Sequence, residues 1–346
     1  MIGRKSVKFP KITLIFLFFI TICILLTTQL VSADGGLIPY HEFSVYEPGQ
    51  KAIIAWDGQI EVMILSVDVF SVEDTKALHM VPFPSLPTIE LGDADSFQEI
   101  QKIINSKSRN AGSLFGDKLY EGSGNDYSGT VEIIFHESVG PHDITVVKVN
   151  SSHEFSDWVN DFLSGQGIED KTMPTNLDEV VEHYIQENIS YFAFDVIDIA
   201  RDEMSVDPII YTFETDYIYF PLKISSIIDG DTEVTLAIIT PKDMAINTRM
   251  MDGYGFYNSV EVMVSYNELA RVDQNIADQF KDEARLTFFR EEFYLQDLNE
   301  DVVLDKTEGI RYVDYGNDNI PAILMGLLII ALIRVILFIG IFIWYL

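Results

Sequence analysis

The stretch Tyr46–Leu91 constrains this chain more than any other. Two apolar runs flank Asp57-Gly58: Ala52, Ile53, Ile54 and Ala55 before it, and Val62, Met63, Ile64, Leu65, Val67 and Val69 after it. Glycine accepts positive φ and aspartate tolerates it, so the dipeptide predicts a tight turn between two strands. A core must close over that hairpin. Downstream, Val81-Pro82-Phe83-Pro84-Ser85-Leu86-Pro87 carries three prolines, which forbid helix and hold the backbone extended.

Apolar periodicity predicts helices over Asp93–Lys107, Glu154–Leu163, Leu177–Asn188 and Glu268–Arg285. Strands are expected at Val131–Phe135, Ile144–Val149, Tyr191–Ile199, Ile209–Phe213, Ile218–Ser225, Ser259–Ser265 and Leu286–Tyr294. His136 to Asp143 reads as the loop joining the first two. Asp229-Gly230-Asp231, between Lys223–Ile228 and Glu233–Thr240, gives a second hairpin signal. Short connections between successive strands favour antiparallel pairing. The expected fold class is α+β, a mainly antiparallel sheet with several amphipathic helices, plus one C-terminal transmembrane helix.

Both ends are greasy. A basic segment, the apolar run Ile12–Leu26 and the small-residue site Val31-Ser32-Ala33 predict a cleaved signal peptide over residues 1–33. Ile320–Leu346 is apolar except for Arg334 and exceeds the ~20 residues a spanning helix needs. Pro321 suits its first turn, and Trp344 and Tyr345 suit a membrane interface. The expected plan is a signal peptide (1–33), an extracytoplasmic domain (34–307), a polar stalk (308–319) and a membrane helix (320–346). It places the protein at the cell membrane, single-pass, with its main domain outside the cytoplasm.

Charge and cysteine usage narrow the function classes. Acids outnumber bases 54 to 23, for a net charge of −31. Such a surface repels nucleic acid and attracts cations. The sole cysteine, Cys23, lies in the signal region, so a mature chain has no thiol. That excludes disulfides, cysteine-ligated zinc and cysteine nucleophiles from the exported domain.

AIIAWDGQIEVMILSVDV followed by MVPFPSLPTIELGD resembles a family of exported, membrane-anchored prokaryotic proteins of unknown function. A strand–Trp-Asp-Gly–strand unit leads there into a Val-Pro-x-Pro segment. The likeness continues through VVKVNSSHEFSDWVNDFLSGQGI, YFAFDVIDI, YFPLKISSIIDGDTEVTLAIIT and ARLTFFREEFYLQDLNEDVVL, roughly Ala33–Leu304. The resemblance implies an extracytoplasmic domain and supplies no activity or catalytic residue.

Candidate sites are few. His136, Glu137, His142 and Asp143 bracket a Gly-Pro turn and are the candidate ligands for a divalent cation, although their spacing fits no zinc signature. Asp57 and Gly58 are explained by turn chemistry. Asp229, Asp231 and Glu233 alternate like a calcium loop but lack its glycine and distal glutamate. No G-x-S-x-G, H-E-x-x-H or phosphate loop occurs. Asn150 and Asn188 match the N-glycosylation pattern. Arg334, a charge at mid-membrane depth, is the candidate contact to a membrane partner.

The expectation is an acidic exported domain that binds or organises a cell-surface partner, with no cofactor. The alternatives are a cation-dependent extracytoplasmic hydrolase using His136, Glu137, His142 and Asp143, and an accessory subunit docking through Arg334.

Overall fold

The computed structural model describes residues 36–39, 45–108, 132–139, 142–165, 173–228 and 230–313, with backbone alone for 39 and 132–138. The first strands are β1 (Leu37–Pro39), β2 (Val45–Trp56), β3 (Ile60–Ser71), β4 (Thr75–Phe83), β5 (Thr88–Leu91), β6 (Glu132–Val139), β7 (His142–Lys148) and β8 (Tyr191–Ile199). There follow β9 (Asp202–Ser205), β10 (Ile209–Glu214), β11 (Tyr217–Phe220), β12 (Asp231–Pro241), β13 (Met244–Ile246), β14 (Ser259–Val264), β15 (Ala284–Tyr294), β16 (Val302–Asp305) and β17 (Ile310–Tyr312). The helices are α1 (Asp95–Lys107), α2 (Ser152–Gly165), α3 (Leu177–Gln186), α4 (Thr248–Gly253), α5 (Tyr266–Val272) and α6 (Gln274–Gln279).

The hairpin forms where the sequence places it. Gly58 takes φ +107°, and Asp57 Oδ1 accepts from the backbone N–H of Gln59 and Ile60. β2 and β3 then lie inside a larger sheet of order β14-β15-β12-β2-β3-β10-β5, with β9 extending the outer side of β3. Their apolar runs do not alternate because both faces are covered. Ile53, Ala55, Val62 and Ile64 pack under α1, α5 and α6. Ala52, Ile54, Trp56, Met63 and Leu65 face a second sheet, β1-β4-β8-β7-β6. α2 and α3 cover that sheet's far side, where Phe155 meets Phe192 at 5.2 Å and Trp158 meets Phe194 at 4.8 Å. The result is four layers: helices, sheet, sheet, helices.

The turn end of the hairpin is tied down from a distance. Trp56 Nε1 donates to the Thr215 carbonyl at 3.1 Å, and Lys306 Nζ donates to the Gly58 carbonyl at 2.6 Å. Glu61 is fully buried opposite Trp56 and accepts from the Tyr219 N–H at 2.8 Å. Burial pushes its carboxyl well above the usual range, against the pull of the Tyr219 N–H.

The structure corrects the expected fold class. The chain is mainly β, and its large sheet is mixed, because β2 and β12 run parallel with Ile53 opposite Ala237. That pairing joins strands far apart in sequence, where turn signals say nothing. No helix of the described residues is long and apolar enough to cross a membrane. The transmembrane part of the fold assignment is thus not supported by any described helix; residues 320–346, with Arg334, lie outside the described residues, as do the signal region 1–33 and Asp229.

Four local expectations also change. His136 to Val139 belong to β6 rather than to a loop. Lys223–Ile227 forms a 3₁₀ turn, and β12 pairs with β2 and β15, so Asp229-Gly230-Asp231 closes no hairpin. Glu268–Arg285 splits into α5, α6 and the start of β15, with Asp273 capping α6 through its carboxylate. β17, in the expected stalk, pairs with β13.

Candidate functional site

Of the four residues proposed from sequence as cation ligands, the side chains of His136 and Glu137 lie outside the described residues. His142 and Asp143 are successive strand residues and so point to opposite faces of their sheet. The register sets Glu137 opposite Ile144 and His136 opposite Thr145. Among the described residues, no three His, Cys, Asp or Glu side chains are grouped to hold a metal ion. Asn150 and Asn188 are both exposed. Asn188 takes φ +62° just after α3, a left-handed helix end that asparagine tolerates.

His142 instead meets a partner that the sequence reading left out. Its Nδ1 lies 2.6 Å from Asp195 Oδ2, and both side chains are buried between the sheets. Asp195 sits on β8 directly opposite His79 on β4 and Ile144 on β7, which brings His79, Asp195 and His142 to one inward face. Burial opposes the His142 imidazolium, but the Asp195 carboxylate, helped by Asp207, raises its pKa above the ordinary value. His79 goes the other way: burial holds it down at about 4, so it is neutral at pH 7. Cavities of about 10 Å³ flank His79 on two sides. A histidine oriented by an aspartate resembles a general base, but a base must reach a substrate. This pair is sealed by Leu65, Val67 and Tyr211 and has no room beside it for one.

The open site is a separate cleft. A cleft of about 750 Å³ runs between α3 and the 3₁₀ turn Lys223–Ile227. Its working groups are Asn176, Glu179, His183, Lys223, Gln296 and Asn299. α3 is amphipathic: Val180, Val181 and Tyr184 face the core, which leaves Glu179, Glu182 and His183 toward the cleft. Asn176 fixes the opposite wall by donating to the Ser226 carbonyl at 2.8 Å. Lys223 Nζ donates to the Asn299 carbonyl at 2.7 Å. Partial burial and then the Lys223 charge lower the His183 pKa, so the imidazole is neutral at pH 7.

Asp301 holds this cleft together from behind. Its carboxylate accepts from Tyr184 OH at 2.9 Å, from the Lys223 N–H at 2.8 Å and from Tyr219 OH at 3.0 Å. One side chain thereby joins α3, the 3₁₀ turn and β11. Burial raises the Asp301 pKa to about 6 against the pull of those three donors. The sequence reading missed this hub because residues 184, 219, 223 and 301 converge only in the fold. An acid among many acids carries no local signal.

No curated protein matches the chain. Among solved structures, the crystal structure of baculovirus P35 aligns at 9% identity and a TM-score of 0.36, over 79% of this chain and 92% of that one. A likeness at that level carries no argument about fold or activity. A family model described as an uncharacterized protein conserved in bacteria (DUF2330) matches residues 31–288, well over half of the chain. The hairpin, the Val-Pro-Phe-Pro segment and the inward His79–Asp195–His142 face all fall within that span, and the chain belongs to this bacterial family.

Proposed function

We propose that this protein is an exported binding module whose polar cleft takes a hydroxyl-rich ligand, a saccharide of the cell surface. The observation that carries the reading is the cleft's lining. Amides, a carboxylate, a neutral imidazole and an ammonium group offer donors and acceptors together over a space of about 750 Å³. A sugar ring presents both kinds of group at every hydroxyl, and such mixed linings suit it. The N-terminal apolar run and the thiol-free remainder support export. The reading needs no cofactor.

A hydrolytic role draws no support from the His142–Asp195 pair, which is closed to solvent. The test is binding of the purified full-length protein to an array of bacterial surface saccharides, followed by calorimetry on the best ligand. Lys223→Ala and Glu179→Gln should each weaken binding about tenfold, roughly the worth of one hydrogen bond to a charged group. Retention of no saccharide, or equal retention by both variants, would remove the proposal.

A further inference from the structure

Each wall of the polar cleft is tied to one carboxyl group, that of Asp301. Tyr184, on the core side of α3, donates to it through its hydroxyl. Lys223, which opens the 3₁₀ turn, donates through its backbone N–H. The third wall carries Gln296 and Asn299, and Asp301 follows two residues later on the same segment. Tyr219 OH, from β11, completes the set of donors. All three donors are neutral. Lys223 turns its ammonium to the Asn299 carbonyl, so among the described residues no cation touches the Asp301 carboxylate.

The two protonation states of Asp301 therefore hold the walls differently. A neutral carboxyl keeps an accepting oxygen, and its own proton can bond to a phenol oxygen, so it stays in place without burying a charge. A carboxylate keeps its three bonds but gives up its hydration, and it regains water only where those bonds part. Burial raises the Asp301 pKa to about 6 against the pull of the donors, so this balance turns over near neutral pH. Tyr184, Tyr217, Tyr219 and Tyr254 surround the group with pKa values raised by burial, and they stay neutral there. Glu300 and Asp305 on its own segment and Glu187 after α3 are carboxylates acting on the same tyrosines. Two further groups have displaced titrations. Partial burial and then the Lys223 charge lower His183 on α3, and burial raises Glu61 on β3, which accepts from the Tyr219 N–H.

We propose that Asp301 is the positioning residue of this cleft and its pH switch: protonated, it holds α3, the 3₁₀ turn and the segment of Gln296 and Asn299 together around the ligand, and ionised, it lets them part. The switch rests on the saccharide reading for its ligand but not for its motion. A sugar in the cleft withdraws Asp301 further from water, so binding and protonation reinforce each other. Affinity falls as pH rises through the Asp301 pKa.

The experiment has two arms, both on the full-length protein. The first is ligand-free: hydrogen exchange of α3 and the 3₁₀ turn at pH 5 and pH 8, corrected for the intrinsic pH dependence of exchange. Wild type should lose about tenfold in protection at pH 8, and Asp301→Asn, which keeps an acceptor and cannot ionise, should be protected equally at both. The second arm reads the saccharide array at the same two pH values. Wild type should bind about tenfold tighter at pH 5, the effect of one pKa unit of coupling, and Asp301→Asn should bind equally at both. Tyr219→Phe removes a donor that holds the Asp301 pKa down, so its transition should move to higher pH. His183→Gln and Glu61→Gln should keep the wild-type pH dependence. Equal wild-type protection at both pH values, a pH difference that survives in Asp301→Asn, or an unmoved transition in Tyr219→Phe would overturn the switch. So would saccharide binding that ignores pH, which leaves the saccharide reading standing. An array that retains nothing, with exchange responding as described, removes the saccharide reading and leaves the switch.

Discussion

His142 Nδ1 and Asp195 Oδ2 stand 2.6 Å apart across neighbouring strands, sealed between two sheets beside a neutral His79. The pair and its neighbour titrate in opposite senses. The raised His142 pKa contributes stability that is full below the unfolded value of 6.5 and is lost as pH rises through the folded value. The depressed His79 pKa contributes stability present above 6.5 and lost as pH falls toward about 4. The second effect amounts to about 3 kcal/mol if fully expressed. Urea denaturation from pH 7 to pH 4 should therefore show an acid-side loss that His79→Gln largely removes. An unchanged acid slope in that variant would mean other groups cause it.

Asp301 gives a window on the cleft. Its folded pKa of about 6, up from 3.8, means its contribution is full below pH 3.8 and lost as pH rises through 6. Asp301→Asn keeps an acceptor oxygen without the charge, so its stability should gain on wild type as pH rises from 4 to 7. Asp301→Ala leaves Tyr184 OH, Tyr219 OH and the Lys223 N–H without their acceptor and should cost several kcal/mol, at about 1–3 per stranded group. Equal stability of the Asn and Ala variants would refute the hub.

Gly58 separates backbone strain from lost contact. A Cβ there would make only ordinary van der Waals contact, with the nearest atom, Lys306 Cε, at 3.8 Å, but φ is +107°. Gly58→Ala should cost about 1–2 kcal/mol from the backbone alone. Lys306→Met removes the bond to the Gly58 carbonyl and the contact over the Trp56 ring, and should cost about 1 kcal/mol or less. Thermal melts of the two variants compare them, and a larger loss in Lys306→Met would reverse this ordering.

What could be read from the sequence is what local chemistry dictates. Asp57-Gly58 announced its turn, and the stripes of α1, α2 and α3 announced their helices, because a period of 3.6 is visible within ten residues. Tyr191–Ile199 is a strand over the range its apolar pattern gave. The parallel β2–β12 pairing was invisible, since nothing near either strand encodes a partner so far along the chain. The Ser265 capping box and the Asp273 cap broke one expected helix into two, an effect that the apolar stripe alone hides. The sites suffered most. His142 was picked out for its neighbours in sequence, but its partner in space is Asp195, and the cleft is built from no contiguous motif.

The most direct test of the binding-module account is calorimetry of the full-length protein with the saccharide its array selects. One site per chain is expected, with affinity lowered about tenfold by Lys223→Ala. Heat that is indistinguishable between wild type and Lys223→Ala across the whole titration would contradict it.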